Sequence, residues 1–138
     1  VEKGDRIVLT MDGFGIQQLV LSRFDVDKAF PLTKAKPAKD VSPREFGELL
    51  LAELRAGEKD SRIELKSSGE TRIDGRPAFR LHLTERTARG AQYERIVAAV
   101  RGETKIFWTS CTALARYYFE RARPVCEQTI ATVRLAPL

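Results

Sequence analysis

The chain has 138 residues, 43% of them hydrophobic, which is typical of one domain with its own core, and we expect that single domain to cover residues 1–138. Its longest apolar runs, residues 49–52 and 96–100, are far shorter than the ~20 residues that cross a bilayer, which excludes a transmembrane helix. The 24 Lys and Arg residues outnumber the 19 Asp and Glu residues, for a net charge of +5, but they are spread along the chain, which argues against a dedicated basic arm for nucleic acid.

The N-terminal part predicts a strand pair followed by a loop. Two short apolar stretches, residues 6–10 and 16–24, are joined by Asp12-Gly13-Phe14-Gly15, where glycines permit the positive φ angles of a tight connection. Residues 25–41 contain two prolines and four lysines, and their apolar residues follow neither a period of two nor one of 3.6. We expect this segment to be the longest surface loop.

A helix over residues 42–56 is the strongest local prediction. Ser42 is a typical N-cap, Pro43 suits the first helical position, and Glu45 completes a Ser-x-x-Glu capping box. Gly57 supplies a stop at the other end. The residues expected to form the buried stripe of this helix are Phe46, Leu49, Leu50 and Leu54.

From residue 62 onward the apolar residues recur with a period of two, which is typical of strands with one buried face. The predicted strands cover residues 62–73, 79–84, 93–101 and 105–111. The predicted turns between them are Asp74-Gly75, Ala88-Arg89-Gly90 and Gly102-Glu103. Three consecutive hairpins predict an antiparallel meander, and we expect its first strand to bend at Gly69.

The second strand of this meander carries the only histidine of the chain. Its alternation predicts a buried set and a wet set, which are Phe79, Leu81 and Leu83 and then Arg80, His82 and Thr84. No Gly-x-Ser-x-Gly turn surrounds Ser68 or Ser110 to make either serine a catalytic partner of His82. We therefore interpret His82 as an exposed side chain whose replacement leaves fold and function intact.

The C-terminal part has helical composition. We expect a helix over residues 113–123 that is interrupted at Pro124, a second helical stretch over residues 125–133, and a short extension over residues 134–138. The aromatic face expected against the sheet consists of Leu114, Tyr117, Tyr118 and Phe119. Ile130 and Val133 are expected to point inward.

The two cysteines, Cys111 and Cys126, have neither a Cys nor a His nearby at metal-ligand spacing, so they predict no zinc site. Two interpretations remain open: a disulfide, which implies an oxidising compartment, or two buried thiols. Cys111 ends the last strand of the meander, and Cys126 follows Pro124, where the chain can fold back over that strand. This placement favours the disulfide.

A group of arginines on the meander is a candidate binding patch. Its members are Arg76, Arg80, Arg86, Arg95 and Arg101. Because they fall on adjacent predicted strands, they are candidates to gather into one positive surface, although alternation alone also places arginines on an ordinary solvated face. No catalytic, metal-binding or dinucleotide motif accompanies them, so we expect no catalytic residue, metal or cofactor.

The order of these elements resembles the PsbP-like superfamily, which includes photosystem II extrinsic subunits and small bacterial envelope lipoproteins. The resemblance covers residues 5–135 and includes the segments TRIDGRPAFRLHLT, KIFWTSC and ALARYYFERARPVCEQTIATVRL. It implies an α+β fold in which a mostly antiparallel sheet is flanked by helices as an α/β/α sandwich. It also implies export, frequent lipid anchoring, and binding or assembly rather than catalysis. Export in turn favours the disulfide.

We therefore hypothesise a non-enzymatic protein, exported to the periplasm or cell envelope, that docks on another protein or on the envelope surface. Nucleic acid is not expected as a partner. The first ten residues lack a signal-peptide pattern, so any targeting segment has either been removed or never existed, and the export hypothesis requires that a leader was removed. No cysteine stands at the N-terminus, so we expect any lipid anchor to require residues before Val1. Two alternatives remain: a small hydrolase or ligand-binding enzyme that uses the face around His82, and a basic module that binds a partner or nucleic acid.

Overall fold

The computed structural model describes residues 5–10, 16–57, 61–115 and 117–135. The strands are β1 (Asp5–Leu9), β2 (Gln17–Asp25), β3 (Ser61–Ile73), β4 (Arg76–Thr87), β5 (Gln92–Arg101) and β6 (Lys105–Leu114). The helices are α1 (Pro43–Ala56) and α2 (Tyr117–Thr132), and a short 3-10 turn covers Val26–Lys28. The strands form one antiparallel sheet in the order β1-β2-β6-β5-β4-β3. Neither helix has the length and apolar character needed to span a membrane.

The predicted meander is confirmed, because β3, β4, β5 and β6 follow one another as three antiparallel hairpins. Asp74 and Gly75 have φ angles of 50° and 74°, the positive values that a two-residue hairpin turn requires. The predicted N-terminal strand pair is confirmed as well, and its second strand, β2, pairs with β6. The connection Asp12-Gly13-Phe14-Gly15 lies outside the described residues.

The two helices lie on opposite faces of the sheet, which confirms the predicted sandwich. Phe46 and Leu50 of α1 pack against Leu81 of β4 and its neighbours. Phe119 of α2 packs against Ile96 of β5 on the other side. Since successive residues of a strand point to opposite faces, the face under α1 holds the odd-numbered residues of β4 and β5 and the face under α2 holds the even-numbered ones. We call these surfaces the α1 face and the α2 face.

The start of α1 is the one that the sequence predicts. Ser42 is the N-cap, and its Oγ accepts a hydrogen bond from the backbone N–H of Glu45 at 3.2 Å. Pro43 is the first helical residue, where its missing N–H removes no helical hydrogen bond. The helix ends before Gly57, whose backbone N–H donates to the carbonyl of Glu53.

Replacing Ser42 with Ala is expected to lower the free energy of unfolding by about 1 kcal/mol, because the N–H of Glu45 loses its acceptor. Urea denaturation measures the difference. Ser68→Ala is the matched control, because Ser68 is an exposed serine on β3, and surface substitutions of this kind usually change stability by less than ~0.5 kcal/mol. Equal stability of the Ser42 variant and the unmodified protein would show that water replaces the cap at no cost.

The bend predicted at Gly69 is wrong. β3 is continuous, and its pairing with β4 changes register between Leu65 and Ser67 instead. Gly69 stays in register opposite Arg80, and a Cβ atom built on it would meet nothing within 4 Å. Neither close approach nor backbone strain therefore calls for a bend at Gly69.

The segment 25–41 is anchored in the core rather than lying wholly at the surface. Phe30 is 1% exposed. Its ring centroid lies 6.3 Å from that of Phe46 on α1 and 5.9 Å from that of Trp108 on β6. One aromatic side chain therefore fixes the segment between the helix and the sheet, which an absence of sequence periodicity does not reveal.

The predicted interruption at Pro124 is also wrong. The chain stays in β6 to Leu114, and α2 then runs through Pro124 to Thr132. Proline removes one helical hydrogen bond. The cost is offset by packing on both sides of it, because Phe119 before it and Ile130 after it both contact the sheet. The side chain of Tyr117 and residues 136–138 lie outside the described residues.

Cys111 of β6 and Cys126 of α2 form the disulfide that the sequence favours, with Cα atoms 6.2 Å apart. Both residues are buried, and they pack against Leu19 of β2. The disulfide therefore links α2 covalently to β6, a central strand, and is buried on the α2 face of the sheet.

Candidate binding site

A cleft opens on the α1 face, because α1 packs mainly on β3 and β4 and leaves the surface towards β2 and β6 uncovered. Its volume is about 480 Å³, within the range of ~300–1,000 Å³ that is usual for small-molecule sites. The segment 25–41 and the end of α1 form one wall. The floor consists of Val20, Phe24, Glu85, Arg95, Trp108 and Ser110. We call this site the Arg95 cleft.

Arg95 is the cation at the floor of the cleft, and its side chain is 22% exposed. Its Nε and Nη2 atoms lie 3.3 and 3.2 Å from the Oγ of Ser110, to which they donate hydrogen bonds. Its Nη1 atom lies 3.9 Å from Oε2 of Glu85, which is an ion pair without a hydrogen bond. Burial of the guanidinium lowers the pKa of Arg95 from its ordinary value, and the charge of Glu85 opposes this shift. Because arginine stays protonated in proteins, the cleft has a cation at its floor.

Glu85 is shared between two neighbours rather than dedicated to Arg95. Its Oε1 atom accepts a hydrogen bond from the hydroxyl of Ser61 at 3.2 Å, while its Oε2 atom faces Arg95. The carboxylate therefore neutralises Arg95 only in part.

The wall of the cleft is fixed by Glu53, a buried carboxylate on α1. It accepts hydrogen bonds from the backbone N–H groups of Leu32, at 3.1 and 3.2 Å, and of Thr33, at 2.9 Å. The hydroxyl of Thr33 donates a further bond at 3.1 Å. Glu53 thus attaches the segment 25–41 to the helix, and its charge is already satisfied by these donors.

Apolar side chains cover the rest of the floor. Trp108, the only tryptophan in the chain, lines the cleft with Val20 and Phe24 of β2 and also packs against Phe30. The cleft therefore combines a partly buried cation with an aromatic and aliphatic surface. Among the described residues, no group of three or more His, Cys, Asp or Glu side chains is placed to hold a metal ion.

The five arginines of the predicted patch do not share one surface. By the alternation of the strands, Arg80 and Arg86 belong to the α2 face, whereas Arg95 and Arg101 belong to the α1 face. Arg76 follows the β3–β4 turn and lines, with Arg101, a separate cavity of about 500 Å³ near the start of α1. The physical reason is register, because an arginine at an odd position of β5 points away from one at an even position of β4.

The interpretation of His82 as an exposed residue on a wet face is wrong, because α2 covers that part of β4. The His82 side chain is 12% exposed, and its ring stacks on Phe119 with centroids 5.5 Å apart. Its Nε2 atom lies 2.9 Å from Oε2 of Glu94, which also pairs with Lys66. His82 thus helps to attach α2 to the sheet and lies on the face opposite the Arg95 cleft.

From the sequence, Arg95 is identified only as a member of a patch and Ser110 only as a possible catalytic partner of His82, and Glu85 is not singled out. The pairings of Leu83 with Arg95 and of Val97 with Ser110 bring these residues to one place. A usable signal was present, because Arg95 shares its parity with Val97 and therefore occupies a core-facing position of β5. A cation in such a position is unusual and indicates a site.

No protein-family model matches the sequence, and no curated protein is similar to it. Among solved structures, the Pseudomonas aeruginosa protein PA94, whose function is unknown, is similar at 15% identity with a TM-score of 0.71, over 100% of this chain and 88% of that one. The cyanobacterial PsbP protein, CyanoP, of Synechocystis sp. PCC 6803 is similar at 13% identity with a TM-score of 0.55, over 92% and 79%. The Ran-binding protein Mog1p of Saccharomyces cerevisiae reaches a TM-score of only 0.44, at 13% identity over 83% and 61%. At such identities a likeness shows the fold alone, and the chain has the PsbP-like fold.

Proposed function

We propose that this protein is a non-enzymatic, exported protein of the cell envelope that binds an envelope component in the Arg95 cleft. The observation that carries the proposal is the cleft itself, in which a partly buried and only partly neutralised cation lies beside apolar side chains. Such a surface is suited to holding a ligand. Its arginine does not titrate near neutral pH and cannot act as a general base there.

The disulfide supports export. Cysteines in the cytosol are kept reduced, whereas disulfides persist in the periplasm and other oxidising compartments. Cys111 and Cys126 are both buried within the α2 face, so their pairing is part of the folded structure rather than a surface modification. The separation of the arginines onto two faces gives the nucleic-acid alternative no support, and His82 lies under α2 rather than in an open cleft.

Cosedimentation of the purified oxidised protein with envelope membranes of its host tests the binding role. Val20→Trp fills the cleft from β2, where Val20 is only partly buried, and is expected to abolish most of the binding. Val125→Trp is the matched control, because Val125 is 44% exposed on α2, and it should bind as the unmodified protein does. Absence of binding by the unmodified protein, or equal binding by the Val20 variant, would refute the role of the cleft.

Location is tested separately with a thiol-reactive polymer applied to acid-quenched host cells that carry the complete gene product. An exported protein should gain mass only after reduction, because its two cysteines are paired. Labelling without reductant would place the protein in a reducing compartment and contradict export.

A further inference from the structure

We propose that the ligand of the Arg95 cleft is an anionic amphiphile, with an oxyanion headgroup paired to Arg95 and an apolar chain lying over Trp108, Phe24 and Val20. The headgroup is a carboxylate or a phosphate monoester, both of which match the planar fork of an arginine. This inference rests on the proposed function, since it identifies the class of ligand that the same cleft binds.

The first argument is the incomplete pairing of Arg95. Two of its donors, Nε and Nη2, converge on a single neutral hydroxyl, that of Ser110. The nearest carboxylate oxygen, on Glu85, lies 3.9 Å from Nη1, beyond hydrogen-bond distance. A guanidinium has five N–H donors, and a desolvated cation gains most from a charge-assisted partner. An oxyanion in the cleft supplies the partner that the described residues do not.

The second argument is the balance of charge around the cleft. Two carboxylates line the cleft among the described residues: Glu53 is occupied by donors from Leu32 and Thr33, and Glu85 also accepts from Ser61. Arg6 and Lys28, both exposed, add positive charge to the lining. The chain as a whole carries +5. Local and overall charge therefore both favour an anion over a cation.

The third argument is the apolar floor. Trp108 packs against the buried Phe30, with ring centroids 5.9 Å apart, which restricts the positions open to its indole. Val20 and Phe24 extend this surface along β2. A small hydrated anion would leave these side chains in water, whereas an alkyl chain removes them from it. A ligand that pairs with Arg95 and also covers the apolar floor has to be amphiphilic.

Trp108 provides the measurement, because it is the only tryptophan and lies on the floor of the cleft. Its fluorescence is titrated in the full oxidised chain with dodecanoate, dodecyl phosphate, dodecylammonium and acetate, each amphiphile below its micellar concentration. We expect at least one anionic amphiphile to bind at least tenfold more tightly than dodecylammonium and acetate. A preference between dodecanoate and dodecyl phosphate identifies the headgroup. Equal affinity for dodecylammonium, or saturable binding by neither anion, would overturn the proposal.

Variants of the two charged residues give opposite expected changes. Arg95→Gln should weaken binding of the preferred anion at least tenfold, because the headgroup loses its charged partner. Glu85→Gln should strengthen binding several-fold, because it removes the carboxylate that competes for Arg95 while leaving an oxygen to accept from Ser61. Arg86→Gln, an exposed arginine on the opposite side of β4, should leave the affinity unchanged.

If Arg95→Gln fails to fold, Glu85→Gln alone decides, since unchanged or weaker binding by that variant contradicts the proposal. An unchanged affinity in a folded Arg95 variant contradicts it equally. A third outcome is that Val20→Trp abolishes envelope binding while Arg95→Gln and Glu85→Gln leave the affinity for the amphiphiles unchanged. This outcome would support the binding function and reject the anionic amphiphile as its ligand. Envelope binding that survives Val20→Trp would reject the Arg95 cleft as the binding site of the proposed function, whatever the amphiphiles do.

Discussion

Reduction of the Cys111–Cys126 disulfide is expected to lower the free energy of unfolding by roughly 3 kcal/mol, because the link restricts a loop of 15 residues in the unfolded chain. The apolar clusters under both helices do not depend on the bond, so the reduced protein should remain folded and melt at a lower temperature. Thermal unfolding followed by circular dichroism, with and without reductant, measures the change.

The double variant Cys111→Ala/Cys126→Ala separates the effect of the link from side effects of the reductant. Its melting temperature should be low and should not respond to reductant, whereas that of the unmodified protein should fall on reduction. Alkylation of the denatured protein without reductant is the chemical check. Uptake of two alkyl groups would reject the disulfide and remove its support for export.

Gly47→Ala is expected to lower the free energy of unfolding by about 1 to 2 kcal/mol, although alanine is the better helix former by ~1 kcal/mol. Gly47 is buried in α1 where the helix crosses Phe79 of β4. A Cβ atom at this position would lie 2.1 Å from Cδ1 of the Phe79 ring. The ring is itself buried in the core, so the helix has to move away from the sheet to admit a methyl group.

Urea denaturation of Gly47→Ala measures this loss, and Gly69→Ala is the control because its Cβ would meet nothing within 4 Å. Phe79→Leu in the same chain makes room, so the double variant should lose less stability than the two single variants together. A Gly47→Ala protein that is more stable than the unmodified one would show that helix propensity outweighs the contact.

The parts of the fold that could be predicted are those determined by neighbours in sequence. The ends of α1 follow from Ser42 and Gly57, and the turns of the meander follow from pairs such as Asp74-Gly75. Each signal acts over a few residues, so no knowledge of the rest of the chain was needed. The strand pair at the N-terminus was predictable for the same reason, whereas its pairing with β6 was not.

The errors arise where contacts between distant parts of the chain determine the local structure. Pro124 stops an isolated helix, but in α2 the flanking residues are held on the sheet by packing and by Cys126. His82 alternates as a solvent-facing residue does, but a helix lies over it. Alternation reports that two faces differ and does not report what covers each one.

The candidate site was only partly predictable. Arg95 was identified as a cation on a strand, but its place in a cleft depends on the register of β4, β5 and β6. The wall of the cleft depends on Glu53, whose carboxylate accepts hydrogen bonds from Leu32 and Thr33, about twenty residues earlier in the chain. No local pattern encodes such a contact.

The pairing of β2 with β6 has a consequence for how the molecule assembles. An ion pair of 2.8 Å between Asp25 and Lys105 joins residues 80 positions apart, whereas the hairpins of the meander join near neighbours. Closing a longer loop costs more entropy, so the meander is expected to form first and the β1–β2 pair to dock last, although the pair precedes it in the chain. Val20 and Phe24 of that late unit form one side of the Arg95 cleft. A ligand bound in the cleft would therefore contact both units and stabilise the junction that is expected to form last.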